Sequence, residues 1–477
     1  MPRLTSKIPK RLRFALGALL GLAALGIAVG VFIATRFSQS QLEAAASKAS
    51  GMQVTTGGGL KVRLFPSFGV TLQDVRIRNQ GADLAAAQQM RLGIELLPLV
   101  HGELRITAIG LAHVTLAVEQ GVDGKFNFEG PSSATGTLPV IDATDVSIAD
   151  VTLLFTDKQN GNTWRAGPCD VDASHLQMAA ATRAELSNSL LITATVSCKQ
   201  IQTRKLTVAD VKFTLDAKQG LFAFTRITMR AYDGQGSGEV HANLSGGVPT
   251  YHVHYVLSKF RIEELWTAFS QKKIGEGLMD FSTDLTLRGY TVIAMTQSSV
   301  GEASLHGDNL ILATGDLDRE LSRYESTQKF DLVDVGAVLV AGPLGLAVTK
   351  GYDYARLLGT SGGSSPISKL ISEWRIENGI AEAKDVAMTT KANRLAMKGK
   401  LDFVHDQFQD VTLALVNEQG CVRVQQNVHG PFSKPDVDKP NVVGSLTGPV
   451  RRLLNKAKHL MGGRCEPFYT GSLAPPQ

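Results

Sequence analysis

Apolar and polar residues alternate with period two from Leu60 to Asn127, in one strand-length run after another. Val62 and Leu64 alternate with Lys61 and Arg63, and Phe65-Pro66-Ser67-Phe68-Gly69 then forms a corner. Val70 and Leu72 alternate with Thr71 and Gln73. At Asp74 the phase slips by one, so that Val75 and Ile77 alternate with Arg76 and Arg78. A β-bulge produces such a slip. After Asn79-Gln80-Gly81, Met90, Leu92, Ile94 and Leu96 face one way, and Arg91, Gly93 and Glu95 the other. Leu104 and Ile106 alternate with Arg105 and Thr107; Val114, Leu116 and Val118 alternate with Thr115, Ala117 and Glu119. The pattern predicts strands with one apolar and one polar face. No apolar stripe at helical spacing lies between them to cover the apolar face.

The same texture continues after the Ser/Thr/Gly/Pro loop from Pro131 to Pro139. Val146 to Ile148 and Val151 to Phe155 read as strands, and Asn160-Gly161 as a hairpin turn between Phe155 and Trp164. Leu190–Val196, Leu206–Leu215, Leu221–Met229 and Tyr251–Leu257 are further predicted strands, with Gly234, Gly236 and Gly238 marking a turn or bulge. Helical spacing predicts short helices over Phe260–Lys272, where Ile262, Leu265, Trp266 and Phe269 recur, and over Ser365–Trp374, where Ile367, Leu370, Ile371 and Trp374 recur. Leu317–Tyr324 reads as a third. The uncharged run Val335–Val348 is too short to span a bilayer. Val450–Met461 is amphipathic and basic, as expected of a helix packed on the sheet end or one touching anionic lipid. An Asp-Val pair recurs at Asp74, Asp145, Asp150, Asp210, Asp385 and Asp410. Either Asp closes a turn before each strand, or a strand–turn unit repeats irregularly.

The start of the chain adds a membrane segment. Lys7, Lys10, Arg11 and Arg13 precede an uncharged run, Phe14–Ala34, of 21 residues. At 1.5 Å per residue, such a helix spans about 30 Å, the thickness of a hydrocarbon core. A cleaved signal peptide is the competing reading, but its apolar part runs about 7–15 residues before a small-x-small site. Here the run is longer, and Thr35-Arg36-Phe37 follows it. An uncleaved anchor with a cytoplasmic N-terminus is expected from the basic residues before it. Ser38–Ala49 reads as a helical stub leaving the membrane, ended by Gly57-Gly58-Gly59.

Charge and motifs exclude several function classes. The formal net charge is only +5, and several of the basic residues sit at the N-terminus, so nucleic acid is not an expected partner. No nucleophile motif or phosphate loop stands out, and Gly234–Gly238 lacks the spacing of a dinucleotide loop. His252 and His254 flank Val253 on one strand face without a third ligand. Cys169, Cys198, Cys421 and Cys465 have no C-x-x-C spacing. No catalytic residue, metal or cofactor is expected.

Gly59-Leu60, Leu64-Phe65-Pro66-Ser67, Val70-Thr71-Leu72 and Asp74-Val75 resemble the opening of the AsmA family. So do Leu97-Pro98-Leu99, Gly102-Glu103-Leu104-Arg105-Ile106 and Asp123-Gly124-Lys125-Phe126-Asn127. Toward the C-terminus, Leu332–Ala337, Ala341–Gly345, Thr349–Asp353, Trp374, Asp385-Val386-Ala387, Asn393-Arg394 and Gly399–Phe403 are similar to that family. The tail Cys465–Ser472 is too. The resemblance implies a bacterial protein anchored in the inner membrane by a single pass, with its bulk in the periplasm and a role in outer-membrane integrity. Its larger relatives are similar to bridge-like lipid transporters, and this chain is short for that role.

The combined expectation is a mainly β fold: an N-terminal transmembrane helix, then an elongated, curved antiparallel sheet forming a groove, with a few short capping helices. The divisions are 1–13 cytoplasmic, 14–34 anchor, 35–59 stub and linker, 60–130 N-terminal β region, 131–315 middle β region and 316–477 C-terminal region. Val62, Leu64, Leu92, Ile94, Leu104, Ile106, Val114 and Leu116 are the candidate groove lining. The expected occupant is a phospholipid or lipid A-type molecule. The alternative is a scaffold for outer-membrane protein assembly, with assembly proteins as partners and the apolar face an internal core. In an oxidising compartment, the cysteine pairing nearest in sequence is Cys169–Cys198 with Cys421–Cys465, one of three possible sets.

Overall fold

The structure is a computed structural model. It describes residues 43, 44, 47, 52–58, 61–63, 69–79, 81–95, 106–122, 126–127, 141–158, 161–178, 186–203, 206–267, 275–312, 316–319, 321, 364–438 and 465–476. The anchor run Phe14–Ala34, the uncharged run Val335–Val348 and the basic segment Val450–Met461 lie outside them. Among the described residues no helix is long and apolar enough to cross a membrane. The architecture is mainly β: a large, open, mainly antiparallel sheet with few helices. The chain divides into two compact units. The first is Met1–Ala231 with Gly236–His252 and Gly289–Val292; the second is Tyr232–Gln235, Val253–Arg288 and Ile293–Gln477.

The first unit is built from β1 (Gln53–Thr56), β2 (Lys61–Arg63), β3 (Gly69–Asn79), β4 (Ala82–Ile94), β5 (Ile106–Gln120), β6 (Ile141–Ala143), β7 (Asp145–Asp157), β8 (Asn162–Met178), β9 (Leu190–Thr203), β10 (Thr207–Lys218), β11 (Leu221–Ala231) and most of β12 (Gly234–Asn243). β1 and β2 both pair with β3, which continues through β4 to β5. The step from β5 to β7 is parallel, and antiparallel order resumes from β7 to β11. The predicted hairpin between Phe155 and Trp164 is present, with these two residues paired and Asp157 opposite Asn162, while Asn160 lies outside the described residues. Gly234, Gly236 and Gly238 do not form a turn: they lie on one face inside β12. A Cβ at Gly234 would fall 2.6 Å from that of Phe260 and 2.7 Å from its Cα, so glycine there lets the backbone at Phe260 approach closely.

At its β1 edge the sheet is closed by side chains. Glu43, Ala44 and Ser47 are helical, in agreement with the predicted stub. Ser47 Oγ accepts from Val54 N at 2.9 Å, and Glu43 Oε1 accepts from Thr56 N and Thr56 Oγ1 at 2.8 Å each. Glu43 and Ser47 are four residues apart and so share one helix face. From that face they satisfy backbone donors that an edge strand would otherwise present unpaired.

The second unit holds most of β13 (Thr250–Arg261), then β14 (Gly275–Glu276), β15 (Leu278–Arg288), β16 (Val300–Leu312), β17 (Ser365–Glu377), β18 (Ile380–Thr390), β19 (Arg394–Asp402), β20 (Gln407–Val416), β21 (Val422–Pro431) and β22 (Asp436–Val437). From β15 on, each long strand pairs antiparallel with the next. Among the described residues, the short helices with complete bounds are α1 (Leu186–Ser189, in the first unit), α2 (Ile262–Thr267) and α3 (Val292–Gln297). α2 is the predicted helix in shorter form, with Ile262, Leu265 and Trp266 buried and Phe260 in β13. Leu317, Asp318, Arg319 and Leu321 are helical, within the third predicted helix.

The predicted helix over Ser365–Trp374 is instead strand β17. The ladder with β18 slips between Ile367 and Lys369, and the extra residue puts buried Ile367 and Leu370 three apart rather than two. Ile371 is buried on the opposite face. A bulge together with two-sided burial thus imitates an i, i+3, i+4 stripe.

Most of the Asp-Val pairs share a cause that the sequence showed only at Asp74, as a bulge, and that neither reading of the recurrence named. Asp74, Asp150, Asp210 and Asp410 have φ between 49° and 56° and lie inside strands, not at turns. The ladder slips around Asp150, Asp210 and Asp410. At Asp74 the buried set changes from Val70 and Leu72 to Val75 and Ile77, as the phase slip predicted. Asp tolerates the left-handed region, and the Val that follows restarts the inward face. Asp385 sits at a slip between β17 and β18, while Asp145 only opens β7. In the parallel pair the bulges of two strands meet: His113, at φ 53°, holds Asp150 Oδ2 2.5 Å from its Nδ1.

Candidate functional site

The apolar face of the first unit changes character along the strand order. On β3 to β5 it is sealed. Val70, Leu72, Met90, Leu92, Ile109, Leu111, Val114 and Leu116 join one continuous core that reaches Val54, Phe126 and Phe155. On β9 to β11 it is half-open: Val196, Phe213, Leu215, Phe224, Ile227 and Met229 are only partly buried. The register sets them side by side, with Val196 opposite Phe213 and Leu215 opposite Phe224. The rings of Phe213 and Phe224 are tilted, with centroids 5.8 Å apart. In the second unit, Tyr255 on β13 and Phe281 and Leu285 on β15 are likewise partly buried. Burial raises the Tyr255 phenol above its usual range, favouring the neutral form.

The sequence-expected lining falls in the sealed part where it is described. Leu92 and Val114 are each 2 % exposed and Leu116 is also buried. Val62 pairs with Val70, and Ile94 with Ile106, at the backbone. Leu64 and Leu104 lie outside the described residues, and so do the side chains of Val62, Ile94 and Ile106. The half-open aromatic pair was missed. Leu206–Leu215 and Leu221–Met229 read as strands, but alternation alone gives a face, not how much covers it.

All four cysteines are paired as expected. Cys169 and Cys198 are directly opposite on β8 and β9, and Cys421 joins Cys465. The second bond ties the stretch from Cys465 to one face of the second unit's sheet. There Tyr469 and Leu473 pack on Ile371, Ala387, Ala396, Ala414 and Val416. Three alanines on adjacent strands leave a flat shelf on which a chain can lie. Asp385 anchors it: Oδ1 accepts from Tyr469 Oη at 2.6 Å, and Oδ2 from Ser472 N and Oγ at 2.8 Å each. Buried Arg394 donates to Leu473 O at 2.8 Å, Asn417 O at 2.7 Å and Glu418 O at 3.1 Å, and stacks 5.3 Å from the Tyr469 ring centroid. Burial first, then the bond to Asp385, holds the Tyr469 phenol far above its usual range.

A second buried charge, Asp402, closes a turn. Asp402 accepts from Val404 N, His405 N and Gln409 Nε2 at 2.7–3.0 Å and faces His405 Nδ1 at 2.8 Å. Burial alone would raise its carboxyl, yet these donors hold it below the usual range. His254 meets Asp284 at 3.2 Å in an exposed pair, and among the described residues no group of His, Cys, Asp or Glu could hold a metal ion. The polar groups thus build bulges, turns and the tail anchor.

No curated protein and no solved structure matches the chain. A family model described as AsmA family matches it twice, over residues 5–182 and 141–385. The two matches take in the sealed sheet, the half-open face and the strands up to the tail's anchor, Asp385, and the chain belongs to the AsmA family.

Proposed function

We propose that the protein is a non-enzymatic lipid-binding protein of the bacterial envelope. It is held in the inner membrane by Phe14–Ala34, with the sheet in the periplasm curving into a groove for acyl chains. Phospholipid or a lipid A-type molecule is the ligand, and envelope integrity the process served. The observation that carries this reading is the half-open stretch on β9–β11, where Phe213, Leu215, Phe224 and Met229 stay partly exposed at the border of the buried core, with Leu215 and Phe224 packed against it. Apolar side chains left in that state gain by covering themselves with another apolar surface. The lining therefore shifts from Leu92, Val114 and Leu116 to β9–β11.

The second reading is a scaffold for outer-membrane protein assembly, favoured by the burial of Leu92 and Val114, which makes the β3–β5 part a core. Photo-crosslinking separates the two. Benzoylphenylalanine replaces Phe224 or, as control, Leu92 in the full chain, and intact membranes are irradiated. A lipid adduct on the Phe224 peptide and none on the Leu92 peptide is the expected result. Adducts only with protein would move the scaffold reading ahead.

A further inference from the structure

Three turns of the first unit meet at one end of its strands and expose apolar side chains. The first joins β10 to β11 through Gln219 and Gly220, the second runs from Ser245 to Pro249 after β12, and the third is Gly289–Val292. They are tied by backbone bonds, Leu244 N to Gly220 O at 2.7 Å and Gly289 N to Pro249 O at 3.0 Å. Tyr290 Oη donates to Gly247 O at 2.5 Å. On this rim Leu221, Val248, Tyr290 and Val292 are 38–53 % exposed.

Two features indicate what covers the rim. Its polar groups bond to one another: besides the bonds above, Ser245 N and Oγ both donate to Asn243 Oδ1, at 3.0 and 2.7 Å. Such a loop can leave water at little cost, because few of its polar groups lose a partner. The stretches 217–223, 243–252 and 289–292 also contain no Asp or Glu, and Lys218 is exposed at their base. Aliphatic side chains, a pinned tyrosine and the exposed cations Lys218 and Arg288, the latter next to Gly289, suit the boundary between anionic headgroups and acyl chains.

We infer that the rim formed by Leu221, Val248, Tyr290 and Val292 rests on a phospholipid bilayer surface. The inference goes beyond the acyl-chain reading and is independent of it: crosslinking at Phe224 can fail while the rim still meets a membrane, and the reverse. The test uses the full chain carrying Val248→Cys. All four native cysteines are paired, so the new thiol takes a bimane dye alone. The labelled chain is bound to vesicles of phosphatidylethanolamine and phosphatidylglycerol, with plain or acyl-brominated chains. The expected result is a blue shift and loss of emission with brominated lipid, absent from Leu154→Cys, an exposed apolar position on β7. Water-like emission on vesicle-bound chain, unchanged by bromine, overturns the inference. A blue shift that arises without vesicles and grows with protein concentration overturns it too, by making the rim a contact between copies of the chain.

Discussion

Asp385 and Tyr469 lie 84 residues apart in sequence and share one hydrogen bond, so the tail's attachment depends on a phenol staying neutral. The sign of the pH effect follows. The folded state raises the Tyr469 pKa, through burial first and the Asp385 bond second. Its contribution to stability is therefore complete below the ordinary tyrosine value of about 10 and declines as pH rises past it. Thermal melts from neutral to alkaline pH should show the loss, and Tyr469→Phe should flatten the alkaline limb while lowering stability at neutral pH by about 1 kcal/mol. An unchanged limb in Tyr469→Phe would place the alkaline sensitivity elsewhere. Very little of this anchor was legible in the sequence. The resemblance marked Asp385, Arg394 and Cys465–Ser472 separately, but contacts across so long a separation leave no period to read. The cysteine pairing was easier, because each partner was also its neighbour in sequence.

At the level of the element, period two was legible wherever one face alone is buried, as on β3, where even the bulge was visible as a slip in phase. It misled where both faces are covered, and β17 read as a helix for that reason. The bulge aspartates yield a sharp test. Asp74 sits at φ 50° with its side chain exposed, so backbone conformation governs what can replace it. Asn or Gly should be tolerated. A β-branched residue should not: Asp74→Val should cost roughly 1–2 kcal/mol, the penalty of the left-handed region. Chemical denaturation of the three variants checks the order, and a Val variant as stable as Asn would refute the strain argument. Candidate lining was less legible than strand identity, because Leu92 and Phe224 obey the same alternation and differ only in what the rest of the chain lays over them.

For the molecule as a whole, the contrast between sealed and half-open apolar surface separates fold from function. Leu116→Glu buries a carboxylate within a continuous core and should destabilise the protein by several kcal/mol. Phe224→Glu places the charge where water reaches it; the melting temperature should fall modestly while co-purifying lipid is lost. Melts and lipid extraction of both variants decide the matter, and equal unfolding by the two would argue for one closed core. The helix side chains over β1 bear on a different question, that of size. With Glu43 and Ser47 occupying the outward donors of Val54 and Thr56, a further strand would have to displace them to pair with β1. Length can still be added inside the β7–β11 meander, where neighbours in sequence are neighbours in the sheet. Each inserted hairpin brings two strand spacings, about 10 Å, and disturbs neither the capped edge nor the tail anchor. Within the first unit, the sheet can thus be widened by duplicating hairpins while its capped β1 edge stays as it is.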